Sequence, residues 1–253
     1  MTGAMPQSLA RSAKAWDVRS VAEAGLSDAG LARPVNEDAL VRRPDVGLWA
    51  VADGMGGHAE GAWASAAIAH ALELVELTGD LDADLTRVGG AIEAANAEIW
   101  RHGQGHGGQI GSTVTVLLVG AGRFWVLWAG DSRAYLWRAD VLQRLTSDHT
   151  HVQDRIDQGL LSPHEALAHP LRHVLTRAVG VRASVELERR QGLLEPGDIL
   201  LLCSDGVHGV IPESEIAVAL KANDPDTACM TLQQLCHASG APDNLTMAVL
   251  ATR

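Results

Sequence analysis

The feature that most constrains the fold is a short apolar run that ends in an acidic residue and then opens into glycines. Residues 48–52 are Leu-Trp-Ala-Val-Ala, Asp53 follows, and a Gly-Met-Gly-Gly segment comes next. An apolar run of this length bounded by glycine predicts a buried strand, and the small residues from position 59 onward predict a helix. Asp53 is therefore predicted at the end of a strand, where a carboxylate faces a cleft.

The same design recurs along the chain. Buried apolar runs lead into Asp131 and into Asp205, and Asp243 opens the last apolar run, residues 245–251. A lone Asp-Gly pair is most often a turn, but three strand ends and a fourth carboxylate predict a convergent acidic cluster. Like charges at short distance must be neutralised or protonated. A hard divalent cation such as Mg²⁺ or Mn²⁺ neutralises them with carboxylate and water ligands.

Length and charge limit the classes of protein that fit this chain. Its 253 residues, 47% hydrophobic and 20% charged, are enough for one domain with a sizeable core. We expect residues 16–253 to form that domain and the small, polar residues 1–15 to form a mobile tail. The formal net charge of -11 argues against nucleic acid or an anionic membrane as a partner.

Cysteine usage and apolar tracts predict a cytoplasmic protein. Cys203, Cys229 and Cys236 are widely spaced within apolar patterns, which favours reduced core thiols over disulfides. Residues 1–15 lack the apolar segment of a signal peptide. The longest apolar tract, residues 114–129, is interrupted by Gly-Ala-Gly-Arg and therefore predicts a hairpin instead of a membrane span.

The pattern along the chain separates blocks of strands from paired helices, which predicts an α+β sandwich. One helix is clear, because Leu85, Val88, Ile92, Ala95 and Ile99 form one amphipathic stripe. The irregular segment 146–180 is predicted to be a variable flap. The other predicted elements are strands at 17–24, 112–119, 123–129, 133–138, 141–145, 184–191, 199–203 and 245–251, helices at 59–77, 213–222 and 225–237, a turn-rich segment at 25–34 and a glycine-rich loop at 102–109.

A dinucleotide-binding site is the rival interpretation of the central stretch. Residues 54–59 match its glycine pattern between a strand and a helix. That fold needs a second parallel strand ending in an acidic residue about 20 residues on, whereas here one helix is followed by another. Asp53 would also place a negative charge against the pyrophosphate, so this interpretation is disfavoured.

The acidic cluster fits the hydrolysis of a phosphate monoester better. Two metal ions about 4 Å apart share a carboxylate, lower the pKa of the water between them and steady the leaving oxygen. Arg33, just upstream of Asp53, offers a guanidinium that grips two phosphate oxygens at once. Taken alone, Arg33 is equally well interpreted as a solvated arginine before a proline turn.

Seven ordered motifs carry a family resemblance that runs from about residue 16 to the end of the chain. They occur in the order seen in metal-dependent serine/threonine protein phosphatases of the PPM, or type 2C, family, and the chain resembles the compact bacterial members. The motifs are RPVNED at 33–38, VADGMGG at 51–57, GST at 111–113, GDSRA at 130–134, LTRAVG at 175–180, CSDGV at 203–207 and DNLT at 243–246.

The resemblance implies a fold and a set of site residues. The fold is a sandwich of two antiparallel β-sheets flanked by pairs of antiparallel helices, with two Mn²⁺ or Mg²⁺ ions at its centre. The implied roles are as follows: Asp53 bridges both ions, Asp205 and Asp243 hold the first, Glu37 and the Gly54 carbonyl serve the second, Asp131 with Asp205 holds a weaker third ion, Arg33 binds phosphate, and Asp38 and Asn244 support the ligands.

One departure from the family pattern concerns proton delivery. Many eukaryotic members carry a histidine directly after the Asp-Gly pair, proposed as the general acid, and this chain has Met55 there. His58 is near in sequence, but a loop histidine without a catalytic role is the favoured interpretation. A zinc site built from His102, His106 or the histidines of residues 148–151 is a further alternative, disfavoured because no third ligand lies at a clear spacing.

We therefore expect a cytoplasmic, monomeric, bacterial hydrolase that removes phosphate from phosphoserine and phosphothreonine in proteins and opposes a Ser/Thr protein kinase. Two alternatives stay open. One is a catalytically silent member of the same fold that binds phosphoproteins, although such a module has no need for a full set of acidic positions. The other is a phosphatase for small metabolites, which shares the metal site and differs in the flap.

Overall fold

A computed structural model of the chain describes residues 21–106, 109–222 and 224–252. The predicted tail, residues 1–15, lies outside these ranges, as do the first residues of the predicted opening strand. The strands are β1 Val21–Asp28, β2 Asp38–Arg43, β3 Leu48–Met55, β4 Gly111–Ser112, β5 Val114–Gly120, β6 Arg123–Ala129, β7 Arg133–Arg138, β8 Val141–Arg144, β9 Glu188–Leu193, β10 Ile199–Cys203 and β11 Leu245–Thr252. The helices are α1 His58–Leu74, α2 Leu81–His106, α3 His151–Asp157, α4 Pro163–Ala166, α5 Asp205–His208, α6 Glu213–Leu220 and α7 Pro225–Ala238.

The strands form two antiparallel sheets. The first has the order β1-β11-β10-β7-β8, and the second has the order β2-β3-β5-β6-β9, with the short β4 paired to β3. Both sheets mix strands from the first and second halves of the chain, so the two halves fold as one sandwich. The predicted α+β class with two antiparallel sheets and flanking helices is confirmed.

Three apolar clusters hold the layers together. The middle cluster lies between the sheets and contains Trp49, Leu117 and Leu200, each at most 2% exposed. A second cluster packs α1 and α2 on one sheet, and a third packs α6 and α7 on the other. The predicted stripe on α2 lies in the second cluster, from Leu85 to Ile99. Each fully buried aliphatic side chain stabilises the fold by about 1.5–3 kcal/mol.

Two element boundaries were predicted wrongly. The opening strand does not stop before Gly25, because β1 stays paired with β11 through Asp28. Residues 102–106 are not a loop, because α2 continues to His106. The His102 ring stacks on Trp63 at 4.1 Å between centroids, and its Nε2 lies 2.8 Å from Glu60 Oε2. These contacts hold the last turns of α2 against α1. They outweigh the low helix propensity of Gly103 and Gly105.

Other boundaries move by a few residues. Helix α1 ends at Leu74 instead of residue 77, and the Arg43 guanidinium donates to the carbonyls of Leu72 and Val75 at this end. Strand β9 begins at Glu188 instead of residue 184. None of the described helices is long and apolar enough to cross a membrane.

The segment 146–180 leaves the sandwich and returns to it at nearly the same place. It carries the short helices α3 and α4, with Leu160 and Leu167 exposed between and after them. Its outgoing end is fixed by the bond from the His149 N–H to the Gly130 carbonyl. Its returning end is fixed by a two-way backbone bridge between Val179 and Ser112. The role of this segment as a flap stays a prediction.

Candidate active site

The predicted site residues converge on one cleft of about 480 Å³. The four aspartates stand where a strand begins or ends: Asp53 near the end of β3, Asp131 after β6, Asp205 after β10 and Asp243 before β11. The structure therefore brings together acidic residues from both halves of the chain. The predicted residues that line this cleft are Arg33, Glu37, Asp53, Gly54, Asp131, Asp205, Asp243 and Asn244.

Asp38 was also predicted for the site but does not line the cleft. It pairs with Asp53 across β2 and β3, and its carboxylate accepts a hydrogen bond of 2.8 Å from the Ser204 hydroxyl. Asn244 is buried, and its side chain bonds to the backbone beside the cleft. Its Oδ1 accepts from the Glu37 N–H at 2.8 Å, and its Nδ2 donates to the carbonyls of Ala29 and Val35.

Glycine is required at two points where the backbone segments of the site approach each other. A Cβ on Gly54 would lie 2.0 Å from the Gly61 carbonyl oxygen at the start of α1. A Cβ on Gly206 would lie 1.8 Å from the Asn244 carbonyl oxygen. Both distances are far below van der Waals contact, so the Asp-Gly pairs let the acidic strand ends pack closely against their neighbours.

Burial and mutual repulsion raise the pKa of three carboxyls. Burial is the main cause for Asp53, whose pKa stands well above its usual range, and the charges of Asp38, Asp205, Asp131 and Asp243 raise it further. Burial raises the pKa of Asp131 to about 7, helped by the charge of Asp205. Burial likewise raises the pKa of Asp38 to about 7. The cluster thus opposes its own ionisation.

Asp205 behaves differently because a histidine faces it. Burial pushes the pKa of Asp205 upward, but the His173 ring and the nearby His208 outweigh burial and leave it below its usual range. The His173 Nδ1 lies 3.6 Å from Asp205 Oδ2. This contact in turn raises the pKa of His173.

Arg33 lies at the rim of the cleft and is paired with Asp243. Its Nη2 lies 2.7 Å from Asp243 Oδ2, and both side chains are partly exposed. The hydrogen bond and the charge of Asp243 raise the pKa of Arg33. A guanidinium has five N–H donors, so this contact leaves donors for a phosphate oxygen.

The donor set of the cleft fits a hard divalent cation. The acidic groups offer only oxygen, which is the donor type that Mg²⁺ and Mn²⁺ prefer. Within the described ranges, no three His, Cys, Asp or Glu side chains are already arranged as a ligand set. The carboxylates line one cleft, and Asp53 lies among like charges that a bound cation would neutralise.

Sequence reasoning assigned no role to several residues that line the cleft. His173 reaches it from the segment 146–180, whose irregular pattern gives no signal for this residue, and Leu175 lies at the start of a family motif but had no predicted role. Thr113 was within a family motif but had no predicted role. Its Oγ1 accepts the Asp53 N–H at 3.0 Å, so it holds the backbone of the central carboxylate. Met55 also lines the cleft, and the side chain of His58 lies outside the described ones.

Two of the histidines considered for zinc, His102 and His149, make other contacts, and the side chain of His106 lies outside the described ones. The His102 ring stacks on Trp63 and pairs with Glu60. His149 Nδ1 accepts the Gly130 N–H at 3.0 Å, and its Nε2 lies 3.1 Å from Glu188 Oε1. These contacts join neighbouring elements of the fold.

Comparison with known proteins identifies the family. The sequence profile named Protein phosphatase 2C matches residues 20–155. The chain belongs to the protein phosphatase 2C family. Among curated relatives, the serine/threonine protein phosphatase PstP of Mycobacterium tuberculosis is 38% identical over 89% of the chain and 44% of its own length. The protein phosphatase PhpP of Streptococcus pneumoniae is 32% identical over 89% of the chain and 95% of its own length.

Solved structures of the protein phosphatase 2C type share the fold. PppA, described as a key regulatory component of T6SS in Pseudomonas aeruginosa, is 36% identical, with a TM-score of 0.86 over 92% of the chain and 98% of its own. The catalytic domain of PstP in complex with two manganese ions is 33% identical, with a TM-score of 0.81 over 91% and 97%. The chain spans less than half the length of the full M. tuberculosis PstP sequence.

Proposed function

We propose that this member of the protein phosphatase 2C family is a Mn²⁺- or Mg²⁺-dependent serine/threonine protein phosphatase. The observation that carries the proposal is the convergence of Asp53, Asp131, Asp205 and Asp243 on one cleft with Arg33 at its rim. Relatives named as serine/threonine phosphatases support the activity, and the structure of PstP with two manganese ions supports the cofactor.

The proposed ligand roles are those that the family resemblance implies for these positions. Asp53 would bridge two ions, Asp205 and Asp243 would hold the first, and Glu37 with the Gly54 carbonyl would serve the second. A third ion between Asp131 and Asp205 is part of the same proposal. These groups line one cavity and supply only oxygen donors, which supports the assignment.

Asp38 and Asn244 would orient the ligands. Asn244 joins the Glu37 N–H to the loop before β2 and directly follows Asp243. Asp38 faces Asp53 across the β2–β3 pair and is tied to Ser204, the residue before Asp205. Both side chains thus connect segments that carry different ligands.

Cations held by these residues would lower the pKa of an attacking water and neutralise charge on the phosphate. The protein's own side chains would bind and orient the phosphate. Arg33 would bind two phosphate oxygens, and its contact with Asp243 would orient the guanidinium toward the ligands. Met55, in the position where many eukaryotic members carry a histidine, has no proton to donate, so this side chain is not the general acid.

The physiological setting is also proposed. The substrates would be phosphoserine and phosphothreonine in proteins, and the reaction would oppose a bacterial Ser/Thr protein kinase. All three cysteines are free and buried, which supports a reducing compartment such as the cytoplasm. We propose a monomer.

The test is turnover by metal-free protein, prepared with EDTA, after addition of Mn²⁺ or Mg²⁺. Phosphothreonine peptides, an aryl phosphate and a small phosphorylated metabolite would be compared. We expect no turnover without metal, turnover of the peptides with Mn²⁺, and no activity in Asp205→Asn. Activity that survives EDTA would overturn the mechanism. Preference for the metabolite would favour that alternative, and Mn²⁺ binding without any turnover would favour the silent phosphoprotein-binding alternative.

A further inference from the structure

Two buried hydroxyls lie between the segments that carry Asp53 and Asp131. Thr113 lies between β4 and β5, and Ser132 lies between Asp131 and β7. Both residues are at most 2% exposed, and their Oγ1 and Oγ atoms are 2.7 Å apart. A hydrogen bond between them therefore joins the two segments inside the protein, where competition from water is small.

Thr113 fixes the backbone of Asp53 from two directions. The Asp53 N–H donates to Thr113 Oγ1 at 3.0 Å, and the Thr113 N–H donates to the Asp53 carbonyl at 2.8 Å. Each of these bonds constrains the peptide unit on one side of the Asp53 Cα. The direction in which the Asp53 carboxylate leaves the strand is set by this arrangement.

Ser132 fixes the segment of Asp131 in a matching way. The Ser132 carbonyl accepts the hydroxyl of Thr115 on β5 at 2.7 Å. On the other side of Asp131, Gly130 has φ +111, and a Cβ there would lie 2.6 Å from the Thr113 side chain. Gly130 thus approaches Thr113 closely and Ser132 is bonded to β5, so the backbone on both sides of Asp131 packs against the segment that also holds Asp53.

We infer that the Thr113–Ser132 hydroxyl pair is a positioning element that sets the spacing of the Asp53 and Asp131 carboxylates for cation binding. Carboxylates of like charge repel each other, so a rigid connection between their backbones is needed to keep them close before a cation arrives. Groups that orient metal ligands from behind change metal affinity about 10- to 100-fold when they are removed. The inference rests on the proposed function, since it concerns the same cations.

The test is Mn²⁺ binding by metal-free protein, measured by isothermal titration calorimetry at pH 8, with unfolding in urea measured in parallel. Thr113→Val removes the hydroxyl and keeps the shape, and Thr113→Ser keeps the hydroxyl. We expect Thr113→Val to weaken Mn²⁺ binding about tenfold and Thr113→Ser to restore most of the loss. Ser132→Ala removes the partner hydroxyl. The double variant Thr113→Val with Ser132→Ala should have about the same Mn²⁺ affinity as whichever single variant binds Mn²⁺ more weakly.

Thr252→Val is the matched control. Thr252 is also buried, and its hydroxyl donates to the Glu195 carbonyl at 2.6 Å, at the opposite end of β11 from Asp243. This change should cost stability while leaving Mn²⁺ affinity unchanged, which separates positioning from a general loss of a buried hydrogen bond. If Thr113→Val does not fold, Ser132→Ala carries the comparison.

The outcomes separate this inference from the proposed function. Tight Mn²⁺ binding by the wild type with equal affinity in Thr113→Val and Ser132→Ala would overturn the positioning role alone. Equal weakening by Thr252→Val would also overturn it, because the effect would then be structural. Absence of Mn²⁺ binding in the wild type would overturn the proposed function and this inference with it.

Discussion

Two kinds of enclosed carboxylate occur in this protein and differ in what surrounds them. Asp148 accepts two hydrogen bonds from the Arg133 guanidinium, at 2.9 and 2.6 Å. Although burial acts to raise the pKa of Asp148, these contacts hold it below its usual range. Asp53 is also partly shielded from water, but its charged neighbours are other carboxyls, and its pKa is raised.

This difference distinguishes a carboxylate with a structural role from one that belongs to the candidate active site. Arg138 and Asp198 repeat the first arrangement, with the Arg138 Nε 2.7 Å from the almost fully buried Asp198 carboxylate. Where the fold supplies an arginine, the carboxylate is neutralised within the chain. In the cleft the fold gathers like charges, and under the proposed function a cation from solution completes the balance. The experiments that follow test that contrast.

The largest effect is expected for Asp53→Asn, which keeps the shape and removes the central charge. Turnover should fall on the order of 10³-fold, since several kcal/mol of transition-state stabilisation depends on the cations that this carboxylate holds. Without metal, the variant should unfold at an equal or higher urea concentration than the wild type, because one repelling charge is gone. Phosphopeptide turnover and urea unfolding measure both effects; wild-type turnover would show that the cluster is not the site.

For the Arg133–Asp148 pair we expect a loss of stability, in contrast to Asp53→Asn. Arg133→Met leaves the Asp148 charge buried without its partner, so we expect the free energy of unfolding to fall by about 3 kcal/mol. The double variant Arg133→Met with Asp148→Asn should recover part of this loss, since the uncompensated charge is then absent. Urea unfolding of the three proteins tests this prediction. A loss smaller than about 1 kcal/mol would mean that this pair contributes no more than an exposed one.

A smaller effect is expected at the rim. Arg33→Ala should raise KM for a phosphopeptide about tenfold with a modest change in kcat, because the lost contact serves substrate and transition state alike. Arg33→Lys should recover little, since an ammonium lacks the two-pronged geometry of the guanidinium. Steady-state kinetics at saturating Mn²⁺ measures both constants. An unchanged KM in Arg33→Ala would remove Arg33 from phosphate binding.

The smallest effect concerns pH and the metal-free protein. The folded-state pKa of about 7 for Asp131 and Asp38 exceeds the ordinary value of 3.8, so the folded protein binds more protons than the unfolded chain between these values. Stability without metal should therefore fall as pH rises from about 4 to about 7. Burial lowers the pKa of His208 to about 4, so this residue acts in the opposite direction over the same range, and we expect a net decrease in Tm of only about 2–4 °C.

Thermal unfolding in EDTA across this pH range measures how the Tm of the metal-free protein changes with pH. Asp131→Asn should make the decrease of Tm with pH shallower, because it removes one of the three carboxyls with a raised pKa, and added Mn²⁺ should raise the Tm more at pH 8 than at pH 5. A Tm of the metal-free wild type that rises steadily with pH would show that the cluster is ionised at no cost.

The sequence predicted the parts of the molecule that depend on local pattern. The apolar runs that end at Asp53, Asp131 and Asp205 define strand ends, and two antiparallel sheets bring those ends together. The apolar stripe on α2 was also predicted correctly, since five apolar residues at helical spacing are typical of an amphipathic helix.

The errors arise where tertiary contacts override local preference. Gly25 is typical of a turn, yet pairing with β11 keeps it in the strand. The glycines near His102 are typical of a loop, yet the contacts with Trp63 and Glu60 keep them helical. His173 reaches the cleft because the segment 146–180 folds back, and no local pattern encodes that return.

The most direct measurement is anomalous diffraction at the manganese absorption edge, from crystals of this protein grown with Mn²⁺. We expect two strong peaks in the cleft, one contacting the carboxylates of Asp53, Asp205 and Asp243 and the other contacting Asp53 and the Gly54 carbonyl. Manganese bound elsewhere, with these carboxylates directed away from one another, would show that the acidic strand ends meet for a reason other than cation binding.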